Sequence, residues 1–245
     1  MVNFLDLGFK SRNGFSRPNS TAVTAACLLG LFLGISGPTA ADAPSNAERY
    51  DKILVSFENG DFKKCLIDDY ALINTDADDP AVANGIFLAG YLNQFAQGDL
   101  ERASFYYEKL LKKFPRHPAA VLTRKYLADC YFLKGAYEKA REGYTALGDL
   151  AEGAAPENFD EIQYRLAICY YYAKDYTGSV RELQKLLKKF PKSQMAPSAL
   201  FLLARSYQDK DDPERARSVM ARLAGAFPKH PLAAEPLVKQ TGGKK

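Results

Sequence analysis

The chain has 245 residues, 47% hydrophobic and 25% charged, with 33 Lys and Arg against 29 Asp and Glu, 2 His and no Trp. That balance excludes a disordered chain, and a net charge of +4 spread over interleaved acids and bases argues against nucleic acid as a partner. It holds no Gly-rich phosphate loop, no paired-His metal spacing and no His beside a nucleophile, so neither an enzyme nor a cofactor nor a metal site is expected.

Residues 1–43 read as an export signal. Lys10, Arg12 and Arg17 give a basic start interrupted only by Asp6, and residues 22–36 form an apolar run too short for a span of about 20 residues. Gly37-Pro38 breaks the run, and Thr39-Ala40-Ala41-Asp42-Ala43 offers small-residue cleavage after Ala41 or Ala43. The expected location is periplasmic or otherwise extracytoplasmic, with no stable membrane span after cleavage. An uncleaved inner-membrane anchor and an organelle transit peptide are the alternatives; the positive-inside rule keeps the rest of an anchored chain outside the cytoplasm. Cys27 comes too early in the run to be a lipoprotein cysteine.

After a short leader at 44–49, residues 50–231 are built on a repeat. Lys109-Leu110-Leu111-Lys112-Lys113-Phe114-Pro115 returns as Lys185-Leu186-Leu187-Lys188-Lys189-Phe190-Pro191, and Phe227-Pro228 follows. Gly60-Asp61-Phe62, Gly98-Asp99-Leu100, Gly135-Ala136-Tyr137, Asp175-Tyr176 and Asp212-Pro213 mark a turn with the same period, each followed three residues later by Cys65, Ala103, Ala140, Ser179 or Ala216. Tyr131, Tyr170 and Tyr207 precede the last three turns, with Ala128, Ala167 and Ala204 before them. Each unit therefore predicts a helix bearing Leu-Ala-x-x-Tyr, a tight turn, and a second helix ended by Phe-Pro, the small residues letting helices approach.

The units run at about 47–80, 83–118, 120–152, 159–195 and 197–231. The first is degenerate, as a terminal repeat with a polar outer face should be. The third lacks its Phe-Pro, and residues 152–158 make the hinge candidate. Asp99, and Asp212 with Pro213, read as helix starts, while Lys112-Lys113 and Lys188-Lys189 sit in last turns, where a cation favours the helix dipole. That capping role is preferred to a membrane or polyanion patch. Residues 232–245 are a capping segment and tail, with a short helix expected between Pro231 and Gln240. His117 and His230 hold equivalent loop slots and shape a turn. Cys130 and Cys169 hold equivalent places on adjacent units; they are either a disulfide or, as preferred, small buried thiols like Cys65.

This pattern resembles the tetratricopeptide repeat (TPR) family. The third unit puts Leu127, Ala128, Tyr131, Gly135, Tyr137, Ala140 and Tyr144 on the family's slots; the fifth puts Leu203, Ala204, Tyr207, Ala216 and Pro228 there. The lengthened unit closed by Phe-Pro resembles a periplasmic subgroup that includes the Tol–Pal-associated cell-division coordinator and the TPR lipoprotein of the outer-membrane assembly machine. The resemblance implies an all-α, superhelical solenoid of about five helix-turn-helix repeats, whose first helices line a concave groove for peptide segments.

Carried over slot by slot, that peptide-binding groove is lined by Lys125, Asp129 and Phe132, then Tyr164 and Tyr171, then Phe201, Arg205 and Gln208. Aromatic side chains and Arg dominate binding hot spots. Packing between helices is the alternative for the aromatics, whereas charges are not buried unpaired. The implied function is an exported adaptor of the bacterial cell envelope that binds a segment of another envelope protein. The alternatives are a self-associating structural component of an outer-membrane assembly or cell-division complex, a homo-oligomer joined near Tyr170 to Tyr172, and a non-catalytic subunit of an envelope enzyme.

Overall fold

A computed structural model describes residues 44–75, 78–150 and 159–237, apart from the side chains of residues 149 and 150. The expected export signal, the hinge candidate and the tail beyond residue 237 lie outside them. Among the described residues all regular structure is helical, as expected for an all-α repeat fold. Two compact units are present, one ending at Lys134 and the next beginning at Gly135. The first holds α1 (Asn46–Glu58), α2 (Phe62–Ile73), α3 (Pro80–Leu92), α4 (Leu100–Lys113) and α5 (Ala120–Leu133). The second holds α6 (Tyr137–Leu150), α7 (Phe159–Tyr172), α8 (Tyr176–Lys189), α9 (Ala196–Asp209) and α10 (Pro213–Ala226), then a single 3-10 turn, Pro231–Ala233.

The recurring turn has one physical recipe. A residue with left-handed backbone ends each first helix: Gly60 at φ 76°, Gly98 at 70°, Gly135 at 76°, and then Lys174 and Asp211, both at 62°. The next residue starts the second helix. Asp61, Asp99, Asp175 and Asp212 accept hydrogen bonds from the backbone N–H of Lys64, Arg102, Gly178 and Arg215, satisfying donors that a helix start leaves unpaired. Their carbonyls accept the first helical bonds, from Cys65, Ala103, Ser179 and Ala216. Those four residues, and Ala140 in the same place on α6, are 0% exposed, so the small-residue slot is where the helices of a hairpin meet.

The Phe-Pro closure is equally regular. The N–H of Phe114, Phe190 and Phe227 donates to the carbonyl of Leu110, Leu186 and Leu223, and proline then forbids another turn. Each Phe carbonyl accepts in turn from the N–H of His117, Ser193 or His230. The side chains of these three residues accept from the backbone two residues on: Nδ1 of His117 from Ala119 at 3.2 Å, Oγ of Ser193 from Met195 at 2.9 Å, and Nδ1 of His230 from Leu232 at 3.3 Å. The two histidines do what a serine does in the equivalent loop.

Within the first unit, α3 is buried on every side from Ala81 to Leu92. Gly90 makes this packing fit: a Cβ there would lie 2.5 Å from the ring of Tyr107, which is 0% exposed and donates to Gln94 Oε1 at 2.9 Å. Tyr126 joins Phe87, Phe95 and Tyr107 in one aromatic cluster, with centroids 6.1, 5.4 and 5.9 Å away. A π-turn over Asn93–Gln97, ended by Gly98, carries the chain from α3 to α4.

Successive hairpins are also tied by the repeat tyrosines. Tyr131 on α5 donates to Glu108 on α4, and the hydroxyl of Tyr207 on α9 accepts from Gln184 on α8, each across 23 residues. Cys65, Cys130 and Cys169 are buried and unbridged, so the disulfide considered for Cys130 and Cys169 is not formed. Burial pushes the Cys130 thiol up to about 12, which keeps it protonated and unreactive.

Candidate functional site

The residues expected to line a groove fall in both units. On α5 the Nζ of Lys125 pairs with Oδ2 of Asp129 at 3.1 Å, one helical turn away. Asp129 is 0% exposed, so the lysine supplies a counter-charge to a carboxylate removed from water. Lys125 also lies over the Tyr126 ring, and Phe132 is 1% exposed. All three side chains are thus occupied within this unit.

In the second unit the structure brings Tyr171, Phe201 and Arg205 together between α7 and α9. The Arg205 guanidinium lies 5.5 Å from the Tyr171 ring and 6.0 Å from that of Phe201. Both rings are buried, as is Tyr164. Tyr171 donates its hydroxyl to Oδ2 of Asp209 at 2.6 Å. Burial together with this carboxylate drives the Tyr171 hydroxyl far above its ordinary range, and burial does the same for Tyr164. Gln208 is half-buried on the last turn of α9.

The aromatics hold the cation rather than stand free. Arg205 is 7% exposed, its Nε has no hydrogen-bond partner, and no ion pair to it is present among the described residues. A guanidinium flanked by two rings presents a planar donor edge, the geometry suited to a carboxylate. By contrast Arg165 on α7 is satisfied by Glu161, one turn away, through Nη2 at 2.6 Å and Nε at 3.0 Å. Tyr172 stacks on Tyr137 of α6, 4.8 Å between centroids. Asp209 escaped sequence reasoning; its signal is its place four residues after Arg205, on the same helical face.

Among the described residues no group of His, Cys, Asp or Glu side chains is placed to hold a metal, and no helix is long and apolar enough to cross a membrane.

Two family models, both described as tetratricopeptide repeat, match the chain: one over residues 94–153, the other over 161–193 and again over 198–230. Solved structures similar to it include YrrB, titled a TPR protein with an unusual peptide-binding site, at 14% identity and TM-score 0.64, covering 77% of this chain and 90% of that one. MamA from Desulfovibrio magneticus RS-1, from residue 41 to its end, is similar at 17% identity and TM-score 0.59, covering 75% and 96%. MamA AMB-1 gives 17% and 0.58, covering 76% and 93%. At these identities the likeness is one of fold. No curated protein matches the chain.

Proposed function

The chain is a tetratricopeptide-repeat protein, a scaffold for protein–protein interaction, and we propose that it serves as an exported, non-catalytic adaptor of the bacterial cell envelope. Its second unit holds a carboxylate-bearing segment of a partner protein at Arg205. The observation that carries this reading is the cation: Arg205 is buried, flanked by Tyr171 and Phe201, with no hydrogen-bond partner for its Nε and no ion pair among the described residues. A desolvated charge without a partner is costly, and a ligand carboxylate removes that cost while gaining a charge-assisted hydrogen bond. Gln208 and Tyr172, both half-buried beside it, would set the register of the segment. YrrB, a TPR protein with an unusual peptide-binding site, supports the general role. The basic start and short apolar run of residues 1–43 support export.

The test is capture from an envelope extract on immobilised wild-type chain and on Arg205→Gln, with helicity monitored by circular dichroism. A partner retained by the wild type and lost by the variant at equal helicity is expected; equal retention overturns the reading. Recovery of the chain in the cytoplasmic fraction would overturn the envelope part alone.

Self-association is the second reading, favoured by large apolar side chains exposed on the first unit: Val55 at 57%, Ile67 at 60%, Phe105 at 59% and Val121 at 47%. A mass that stays monomeric by light scattering at micromolar concentration dismisses it.

A further inference from the structure

The second unit contains a cleft remote in kind from the Arg205 site, walled by α6, α7 and α8, with a volume of about 780 Å³. That is within the size range of ligand pockets, roughly 300–1,000 Å³. Its origin is visible in the repeat. Gly148 on α6 stands where the repeat puts Leu111 on α4 and Leu187 on α8, eleven residues after the turn-marking Tyr137, Leu100 and Tyr176. A Cβ built on Gly148 meets nothing within 4 Å, so the missing leucine leaves open space rather than a collapsed contact.

The lining has two characters. Tyr144, Ile162 and Leu166 give an apolar floor. On the other side Arg181, Lys185, Lys188 and Lys189 of α8 converge with a single carboxylate, Glu182. Glu182 accepts from Arg181 at 2.9 Å and Lys185 at 3.2 Å, and no ion pair to Lys188 or Lys189 is present among the described residues. Tyr170 forms one wall, its ring set between Arg141 and Arg181 at 5.2 and 5.4 Å. Lys189 lies 4.5 Å from the Phe159 ring centroid at the other end. Gln163 also lines the cleft; it is 9% exposed and its Oε1 is buried without a hydrogen-bond partner. A buried amide oxygen left without a donor is a standing cost that a ligand N–H relieves.

We propose that this cleft is a docking site for a peptide segment of a partner protein in which acidic side chains flank an apolar one. The apolar side chain fills the space beneath Gly148, the acidic groups meet Lys188 and Lys189, and a backbone N–H donates to Gln163. Anionic lipid would satisfy the lysines but offers the buried amide oxygen no peptide N–H, which is why a peptide is the better fit. The site rests on different residues from Arg205 and stands or falls separately.

The test is fluorescence anisotropy of the full chain with a short labelled peptide alternating Glu with Leu, a charge-reversed Lys/Leu peptide, and anionic phospholipid vesicles. The acidic peptide is expected to bind, more weakly as salt rises, and the reversed peptide is not. Gly148→Leu fills the cleft and Lys188→Glu with Lys189→Glu reverses its rim; each is expected to weaken binding by about tenfold or more. Gly148→Leu should also raise the melting temperature, which separates a filled cleft from a misfolded chain. Arg205→Gln is expected to leave this binding unchanged. The proposal is overturned if no peptide binds, if both peptides bind alike, if vesicles bind in place of the peptide, or if binding survives Gly148→Leu and is lost in Arg205→Gln. It is also overturned if the lysine variants change the oligomeric state in place of peptide affinity, which would make a second copy the occupant.

Discussion

The carboxyl of Asp69 on α2 is packed onto the backbone of Gly85 on α3: a Cβ at Gly85 would lie 2.5 Å from Oδ1 and 2.9 Å from a methyl of Ile73. Asp69 is 0% exposed and neither of its oxygens has a hydrogen-bond partner. Burial alone therefore drives its pKa well above the ordinary carboxylate value and keeps the folded state protonated where the unfolded chain is ionised. The fold binds this proton more tightly, so stability is greatest below the unfolded pKa near 4 and falls as pH rises towards the folded value. Asp69→Asn keeps the shape and removes the titration. Melting curves of wild type and variant should draw together near pH 4 and separate upwards, by up to about 1.4 kcal/mol per pH unit while the difference in protonation lasts. Parallel curves would show that Asp69 finds a counter-charge.

Close approach at the same point makes Gly85→Ala an overpacking substitution, costing about 1–3 kcal/mol. Part of that cost comes from the carboxyl, so it should shrink in an Asp69→Ala background, a coupling read from a double-mutant cycle in denaturant. Independent effects would place the strain at Ile73 alone.

The turn recipe names three positions where the chain falls short of its own pattern. Ala136 accepts the first helical bond of α6 on its carbonyl, from Ala140 at 3.0 Å, yet has no side-chain oxygen where Asp61, Asp99, Asp175 and Asp212 have one. Ala136→Asp should stabilise by about 1 kcal/mol, raising the melting temperature by roughly 2–4 °C if the chain melts as one cooperative transition. No change would mean that α6 starts with a different backbone geometry.

Lys174 and Asp211 hold the left-handed position that glycine fills at the three earlier turns. A side chain there carries a strain of about 1–2 kcal/mol, partly offset by the greater freedom glycine has when unfolded. Lys174→Gly and Asp211→Gly should each stabilise by about 0.5–1 kcal/mol, and additively, since they lie in different hairpins. Denaturant midpoints at constant slope are the check.

These cases show what could be read in advance and what could not. The period was legible because its marks are one-dimensional: an Asp cap, a small residue three places on, a Phe-Pro stop. The 0% exposure of Cys65, Ala103, Ala140, Ser179 and Ala216 follows from spacing alone. The strain at Lys174 and Asp211 was silent, because no glycine announces it. So was the π-turn at Asn93–Gln97, and so was Asp69, which in Ile67-Asp68-Asp69-Tyr70 looks like any surface acid. For the candidate site, spacing supplied the residues Tyr171, Phe201 and Arg205 but not their arrangement, since which cation finds an anion depends on its neighbours. Arg165 has Glu161, whereas Arg205 has rings.

His117 provides a second pH-dependent effect, opposite in sign to that of Asp69. Its Nδ1 accepts a hydrogen bond from the Ala119 N–H, which requires the neutral ring, and burial lowers its pKa below the ordinary value. A base with a depressed pKa is held neutral by the fold. Its contribution is present above the unfolded pKa near 6.5 and is lost as pH falls through the folded value. Between about pH 4 and 6.5 the two groups therefore pull stability in opposite directions. The chain supplies its own control in Ser193, which makes the same bond from the equivalent loop without titrating. His117→Ser should keep the turn, match the wild type near neutral pH within about 0.5 kcal/mol, and become the more stable form as pH drops below about 6. Amide exchange at Ala119 followed across that range reads the bond directly: protection should fall with pH in the wild type and stay level in the serine variant. A wild-type amide that stays equally protected throughout would mean that the ring keeps its neutral form by some route other than this contact.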